Sequence, residues 1–407
     1  MTIRRGMCPG LVDPMPTGDG LLARLAVAHP MPLESVAALC VAARAYGNGI
    51  IEITSRGSVQ VRGLTPMSAP DFSDAVAALD IADPAGGRVR ASPLAGLDAH
   101  ETFDVTAVAD RLREVLVGSG IAAKVAPKIS IVVDGGGVLH LDAVPCDIRL
   151  RAERTGGALR FRVTVANESA TTFDTITPEN AIEAVMELLC AIAALGPTAR
   201  ARDLPHPTSF PRQAQGERKR IDSPAQPIGT HRLRDGSVAL GIGLPFGHCD
   251  SDTLQTLIDE AHRAEAASAR PAPARVLLLI GVPPAHTSGL IAKAERLGFI
   301  TRPDDPRRRV LACAGAPACA AAEIPTRTLA SAIAAAARLE MSTIHLSGCA
   351  KGCAHPGSAA LTVVGIGGKC GIVPNGRAQD APVEFIMPED LLEFLARRAV
   401  TREMAHG

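Results

Sequence analysis

The sequence lacks several features that would place a protein in a simple class. It has no tryptophan and a single tyrosine, Tyr46, among its 407 residues. No apolar run reaches the roughly 18 residues that a membrane-spanning helix needs, so we expect no membrane partner. The N-terminal residues read M-T-I-R-R-G-M-C-P-G, with charge but no apolar stretch behind it, unlike a secretory signal peptide. We therefore expect a cytoplasmic protein.

A net charge is also missing. The chain carries 42 basic and 42 acidic side chains. This balance gives no reason to expect nucleic acid or an anionic membrane surface as a partner. A chain of 407 residues is too long for one ordinary hydrophobic core, so we expect two or more domains.

Two close pairs of cysteines stand near the C-terminus. They are Cys313 and Cys319 in C-A-G-A-P-A-C, and Cys349 and Cys353 in S-G-C-A-K-G-C. Four thiolates that converge after folding can hold one [4Fe–4S] cluster. The neighbouring Gly315, Gly348 and Gly352 would let the backbone approach closely and aim N–H groups at the cluster sulfurs. The spacing therefore predicts an iron–sulfur site.

Three other interpretations of these cysteines stay open on spacing alone. A structural zinc site usually has C-x2-4-C pairs, and the first pair is wider than that. Disulfides would need an oxidising compartment. Unrelated cysteines are common in cores, and we expect that role for the other six, which are Cys8, Cys40, Cys146, Cys190, Cys249 and Cys370.

Residues 203–227 carry five prolines and a charged run. Proline denies the chain both helix and sheet hydrogen bonds, so this stretch is predicted to link two halves. In each half an Asp-Gly pair, at Asp19 and Asp235, opens a strand that precedes a helix and a second strand. The same order on both sides suggests a duplicated ferredoxin-like unit.

The predicted fold class is thus α+β, with two tandem-related halves. Each half would contain a ferredoxin-like unit followed by a mixed α/β domain, and the second such domain would hold the cluster. The predicted boundaries are residues 1–66 and 67–202 in the first half, 203–227 for the linker, and 228–300 and 301–407 in the second half.

Taken together, C-x5-C, then G-C-x3-C, and the earlier T-S-R-G-S-V-Q-V-R-G resemble the sulfite/nitrite reductase superfamily over roughly residues 15–395. In that superfamily the four cysteines hold a [4Fe–4S] cluster and the last also bridges to sirohaem iron. The resemblance implies that Cys313, Cys319, Cys349 and Cys353 are the cluster ligands. It also implies that the tetrapyrrole carboxylates are bound by Arg56, Gln60, Arg62, Lys128 and either Arg88 or Arg90.

Arginine and lysine suit that task, because a macrocycle with several carboxylates needs a ring of cations around it. Without the resemblance, Arg56 and Arg62 would be read as solvent-facing residues of a hairpin. Ser130 stands where the family has its second lysine.

Other departures from the family pattern concern the last cysteines. Ala360 replaces an acidic residue that the sirohaem signature expects, and C-A-K-G-C replaces the usual C-P-N-S-C, with Lys351 between two ligands. These changes, with A-S-P-L-A-G-L-D and P-D-D-P-R-R-R-V-L, resemble one branch, the precorrin-3B synthases of the aerobic cobalamin pathway. The resemblance implies an enzyme that hydroxylates precorrin-3A at C20 with O2 and NADH and closes a γ-lactone.

The resemblance also implies a mononuclear non-haem iron. No 2-His-1-carboxylate spacing is visible, and His140 with Asp142, or His248 with Asp250, are candidates only. A dinucleotide site is not visible either, so electrons could come from a separate reductase. Two alternatives stay open, a sirohaem-dependent sulfite or nitrite reductase and a non-catalytic iron–sulfur electron carrier.

Overall fold

The computed structural model describes residues 9–83, 85–166, 175–204, 225–336 and 343–397. Most of the predicted linker, residues 205–224, lies outside the described residues. No helix among the described residues is long and apolar enough to cross a membrane.

The first half begins with a compact unit of strands and two helices. Its elements are β1 (Met15–Thr17), β2 (Gly20–Leu25), β3 (Met31–Pro32), α1 (Leu33–Tyr46), β4 (Ile50–Ile53), β5 (Val59–Leu64) and α2 (Ser68–Ala77). As predicted, β2 starts directly after Asp19, and α1 starts after Pro32. The apolar face of α1 is buried, with Val36, Leu39 and Cys40 facing inward.

A mixed α/β region follows. Its elements are β6 (Val89–Ala91), α3 (Thr106–Gly118), β7 (Ile131–Asp134), β8 (Ile148–Thr155), β9 (Ala158–Val165) and α4 (Ala181–Ala194). The helix predicted before Gly196-Pro197 is α4.

The second half repeats the first unit. Its elements are β10 (Gly229–Arg232), β11 (Val238–Gly243), β12 (His248–Asp250), α5 (Ser251–Arg263), β13 (Ser268–Ala272), β14 (Val276–Val282) and α6 (Pro284–Arg296). The N-cap of α5 is Asp250, the residue before Ser251. Asp250 caps the helix, and its carboxylate accepts the Thr253 N–H at 2.8 Å.

The second α/β region carries the cysteines. Its elements are β15 (Val310–Ala312), α7 (Thr326–Ala335), β16 (Ile344–Ser347), β17 (Ala359–Ile366), β18 (Lys369–Gly376) and β19 (Glu384–Ile386), with residues 391–397 helical.

The two ferredoxin-like units exchange strands. One sheet has the order β1-β2-β5-β4-β12 and the other has the order β10-β11-β14-β13-β3. Each unit therefore gives the short strand before its first helix to the edge of the other unit's sheet. One continuous core includes residues of α1, α2, α5 and α6. The duplicated α+β architecture predicted from the sequence is confirmed.

The two α/β regions have the same topology and register. The sheets are ordered β6-β7-β8-β9 and β15-β16-β17-β18-β19. In each, the first three strands are parallel and the fourth is antiparallel to the third. Each region has a hydrophobic core of its own. The site residues lie at the edges of these sheets and on the β4–β5 hairpin.

Candidate metal centre and tetrapyrrole site

The cysteines follow the carboxyl ends of two neighbouring strands. β15 and β16 pair in parallel, with Ala312 opposite Leu346. Cys313 comes directly after β15, and Cys349 follows the end of β16 after one intervening residue. Because the carboxyl ends of adjacent parallel strands lie at the same edge of a sheet, the fold brings the two pairs together.

The thiols lie close enough to influence one another. The pKa of Cys353 is raised, first by burial and then by the negative charges of Cys313, Cys349 and Cys319. The Gly348 N–H donates to Cys313 Sγ at 3.2 Å. A backbone N–H aimed at sulfur is the interaction that stabilises a cluster-bound thiolate, so these residues fit an iron–sulfur cluster.

The separation of the thiols distinguishes a cluster from a zinc ion. Within the described ranges, no three of the four cysteines place their sulfurs within 4.8 Å of one another. Sulfurs bound to one zinc ion at about 2.3 Å would be only about 3.8 Å apart. The wider arrangement favours a multi-iron cluster. The nine cysteines of the described residues are all free, which excludes disulfides among them.

The glycines beside the cysteines allow a close approach of backbone segments. Gly315 has a φ of +69°, and a Cβ there would lie 2.4 Å from Thr326 Oγ1. A Cβ on Gly348 would lie 2.5 Å from the Cβ of Ala322. Larger residues would therefore push the two cysteine loops apart.

The arginine motif occupies the β4–β5 hairpin, and its members have different surroundings. Arg56 is exposed in the turn, whereas Gln60 and Arg62 are buried on β5. Arg62 donates to the two carboxylate oxygens of Asp19 at 2.9 and 2.8 Å, and also to the carbonyl of Ala318. Arg62 thus joins the hairpin to the loop between the first two cysteines.

The charge of Arg62 is matched by nearby carboxylates. Burial alone would raise the pKa of Asp19, but hydrogen bonds from Arg62 and Thr17 hold it below its usual value. Glu52 lies 3.6 Å from Arg62 and pairs with Arg327 of α7. Arg62 therefore makes its contacts within the protein.

Gln60 belongs to the same network. With its amide oriented to suit its neighbours, it donates to Glu52 at 2.9 Å and accepts from Arg24 at 2.9 and 2.7 Å. Like Arg62, it is engaged by protein groups on the buried face of the hairpin.

Arg56 and Arg90 line one open cavity. Arg90 donates to the backbone carbonyl of Arg56. Arg113 and Arg270 also line this cavity, with Asp83 among its carboxylate groups. Four guanidinium groups around one concave surface make a strongly cationic site that suits carboxylate ligands.

Arg270 was not predicted from the sequence. It is buried on β13 and donates to the carbonyls of Pro93 and Ala28 at 3.0 and 2.7 Å. Burial and, to a smaller extent, the positive charge of Arg113 lower its pKa to about 10. The strand R-P-A-P-A gave no signal of this role, because only the fold brings it to the first half.

A second open cavity shares Arg56 and is also lined by Ser130, Arg200 and Arg202. Arg200 donates to both carboxylate oxygens of Asp147 at 2.8 and 2.7 Å. Ser130 donates to the same carboxylate. Arg200 and Arg202 were not predicted from the sequence, because they follow α4 and only the fold brings them beside Ser130.

The two remaining predicted cations, Arg88 and Lys128, line neither cavity. Arg88 donates to the carbonyls of Ala122 and Ala126, each at 3.2 Å, and does not line the cavity that Arg90 lines. Lys128 is exposed and lines neither cavity.

Two other sequence features have structural explanations. Gly367 and Gly368 form the turn of the β17–β18 hairpin, both with positive φ, so the glycine-rich stretch does not open a helix as a dinucleotide site would. Asp250 caps α5 and His248 pairs across the sheet with Glu52, so the structure gives this pair no common ligand site. His140 and Asp142 do lie together, with Asp134.

Comparisons with known proteins agree with this architecture. Residues 15–79 match the nitrite/sulfite reductase ferredoxin-like half domain. The chain is 36% identical over 97% of its length to a precorrin-3B synthase of Sinorhizobium sp., covering 88% of that protein. It is 23% identical over 79% of its length to a ferredoxin–nitrite reductase of Synechococcus elongatus, covering 71% of it.

Among solved structures, the Mycobacterium tuberculosis NirA protein superposes with a TM-score of 0.73. The superposition covers 93% of this chain and 80% of the NirA chain, at 17% identity, and so it supports the fold. The fold and the duplicated half domains define a protein of the nitrite/sulfite reductase superfamily. Within that superfamily, the similarity along almost the whole chain shows that it belongs to the precorrin-3B synthase family.

Proposed function

We propose that this protein is an oxidoreductase of cobalamin biosynthesis that converts precorrin-3A to precorrin-3B. One atom of O2 becomes the hydroxyl oxygen at C20, and the ring A acetate closes a γ-lactone. NADH supplies two electrons, and with two protons the second oxygen atom leaves as water. The similarity to the Sinorhizobium precorrin-3B synthase over nearly the full chain carries this proposal.

The four cysteines support the redox part of the proposal. A [4Fe–4S] cluster held by Cys313, Cys319, Cys349 and Cys353 would transfer electrons one at a time. The thiols converge, and the Gly348 N–H is already aimed at Cys313 Sγ. Because Ala360 replaces the acidic residue of the sirohaem signature, we propose that the tetrapyrrole is a substrate here and not a bound cofactor.

We propose that Arg56 and Arg90 contact the substrate's carboxylates. Arg56 lines both cavities, and Arg90 lies beside it in the first. In the second cavity Arg202, whose side chain is 74% exposed, could reach a further carboxylate. Arg62 and Gln60 would act indirectly, by fixing the hairpin against the cysteine loop. Lys128, at an exposed position, would meet a carboxylate at the entrance.

The electron donor is expected to act through a second protein. The described residues show no helix-opening glycine fingerprint for NADH. We therefore propose that NADH is oxidised by a separate reductase, which passes electrons to the cluster.

An absorption spectrum of anaerobically purified protein tests the proposal directly. We expect the broad shoulder of an iron–sulfur cluster without intense sirohaem bands, together with O2-dependent conversion of precorrin-3A. Intense sirohaem bands would instead identify a sulfite or nitrite reductase. A cluster with no turnover of either substrate would identify an electron carrier.

The arginine assignment predicts different effects for neighbouring residues. Arg56→Ala and Arg90→Ala should each weaken tetrapyrrole binding by about tenfold or more, because a lost charged hydrogen bond costs about 1.5–3 kcal/mol. Iron content should not change. Binding is measured by fluorescence or absorbance titration under anaerobic conditions.

The matched control is Arg111→Ala, which removes an exposed helix arginine that pairs only with Glu114 among the described residues. Arg88→Ala should lower stability without this loss of affinity, because Arg88 holds the carbonyls of Ala122 and Ala126. Normal tetrapyrrole binding by Arg56→Ala would show that the hairpin does not contact the substrate.

The cluster assignment makes a separate prediction. Cys349→Ala should lose most of the iron and acid-labile sulfide, since a cube bound by three thiolates is readily lost. Chemical iron and sulfide assays measure this. The control is Cys190→Ala, an exposed cysteine of α4. Equal iron content in both variants would contradict the assignment.

A further inference from the structure

One histidine and two aspartates come together in the half that has no cysteine pairs. The ligand atoms of Asp134, His140 and Asp142 all lie within 4.8 Å of one another. Asp134 is fully buried, and the His140 side chain is 10% exposed. His140 Nδ1 lies 3.2 Å from Asp142 Oδ2. A buried, convergent set of one nitrogen and two carboxylate ligands is a candidate site for a divalent metal ion.

The surrounding groups orient the ligands. Asp134 Oδ1 accepts the Gly136 N–H at 2.8 Å, and its Oδ2 accepts the Leu141 N–H at 2.7 Å. A carboxylate oxygen has two lone pairs, so Oδ2 can still bind a cation. Asp142 pairs with Arg151. A metal ion and Arg151 would therefore compete for the same oxygen.

The internal duplication gives an independent reason to place a metal here. Val89 pairs with Ile131 in the first region as Val310 pairs with Ile344 in the second. Ser92 therefore occupies the position of Cys313. Both positions receive the equivalent hydrogen bond, from Gly135 N–H to Ser92 Oγ at 3.1 Å and from Gly348 N–H to Cys313 Sγ at 3.2 Å.

The equivalence extends through the following loop. Ile131 pairs with Ile148 as Ile344 pairs with Leu361, and the two loops between these strands have the same length. Counting from the strand ends, His140 falls at the position of Cys353, and Asp142 falls at the position of His355. The half without the cysteine pairs thus has metal-binding residue types at the position where the other half has a cluster ligand.

We propose that Asp134, His140 and Asp142 form a mononuclear divalent-metal site, whose one imidazole and two carboxylates suit Mn²⁺ or Fe²⁺. Leu141, between two of the ligands, lines the cavity with Arg56 and Arg90. The metal would thus lie beside the substrate cavity. The use of this metal in oxygen chemistry rests on the proposed function. The existence of the metal site does not.

The test is Mn²⁺ binding by the full-length protein with its cluster, after dialysis against EDTA. The disappearance of the free Mn²⁺ signal is followed by electron paramagnetic resonance. We expect one tight site per chain. His140→Asn and Asp142→Asn should each weaken binding at least tenfold, and Asp304→Asn, at an exposed position, should not. Cluster absorbance reports whether each variant is folded.

Arg151→Ala keeps all three ligands and removes the competing cation, so it should tighten Mn²⁺ binding several-fold. This gain cannot come from misfolding. Absence of a tight site in the wild type, or a site unaffected by all three variants, would overturn the proposal. If Mn²⁺ binds as expected but precorrin-3A neither binds nor turns over, the metal site stands and the proposed function fails.

Discussion

At the scale of single residues, a buried charge network connects the two halves. Arg62 and Arg327 both lie near Glu52, and His248 sits opposite Glu52 on the neighbouring strand. Burial and, after it, the positive charges of Arg327 and Arg62 lower the pKa of His248 to about 4. The ring is therefore neutral in the folded protein near neutral pH.

This shift predicts a pH dependence of stability. The unfolded histidine takes up a proton below about pH 6.5, whereas the folded one does so only below about 4. Between these values the unfolded state binds more protons, so the free energy of unfolding should fall as the pH decreases from 6.5 to 4. His248→Gln should reduce this fall by on the order of 2 kcal/mol. Urea unfolding at several pH values measures it, and parallel curves for both proteins would contradict it.

Single residues were predictable where their chemistry lies in one contiguous motif. The cysteines belong to this class, because their spacing alone limits what they can bind. The choice between Arg88 and Arg90 was not predictable, because Arg88 precedes β6 and is held by the carbonyls of Ala122 and Ala126, which only the fold brings to it. Arg200 and Arg270 were not predictable either, since long-range packing brings them to the cavities.

At the scale of elements, the duplicated strand–helix order was visible in the sequence, but the strand exchange was not. β3 has only two residues, Met31 and Pro32, and β12 has three. Strands of two or three residues are too short to show an alternation of apolar and polar residues in the sequence. Their pairing with the opposite unit is a tertiary contact that the local sequence does not encode.

The turn between β1 and β2 packs directly against the first cysteine loop. A Cβ on Gly18 would lie 2.2 Å from the Pro317 carbonyl oxygen and 2.8 Å from the Ala320 nitrogen. Gly18→Ala should therefore displace the loop that holds Cys319, at a cost of about 1–3 kcal/mol. Iron should be lost to a chelator several-fold faster, as followed by absorbance.

Gly289→Ala is the control for this change. Gly289 lies within α6, and a Cβ there would meet nothing within 4 Å. Alanine favours a helix over glycine by about 1 kcal/mol, so this variant should be as stable as the wild type or more stable. Equal rates of iron loss in Gly18→Ala and Gly289→Ala would show that the turn does not support the loop.

At the scale of the whole molecule, the exchanged strands and the shared core should make the two ferredoxin-like units unfold together. α1 of the first unit packs against α5 of the second. Leu39 and Leu257, one from each helix, are buried in the same core. The two α/β regions have separate cores, so their stabilities can differ from that of the central pair.

Tyr46 provides a probe of this cooperativity, because it is the chain's only tyrosine, there is no tryptophan, and it packs against the shared core. Leu257→Ala, in the second unit, should destabilise the core by about 2–5 kcal/mol. The Tyr46 fluorescence transition, in the first unit, should shift by the full amount. Leu112→Ala removes an equally buried leucine from the separate core of the first α/β region. This variant should shift the Tyr46 transition less. If Leu257→Ala leaves the Tyr46 midpoint unchanged, the units unfold independently despite their exchanged strands.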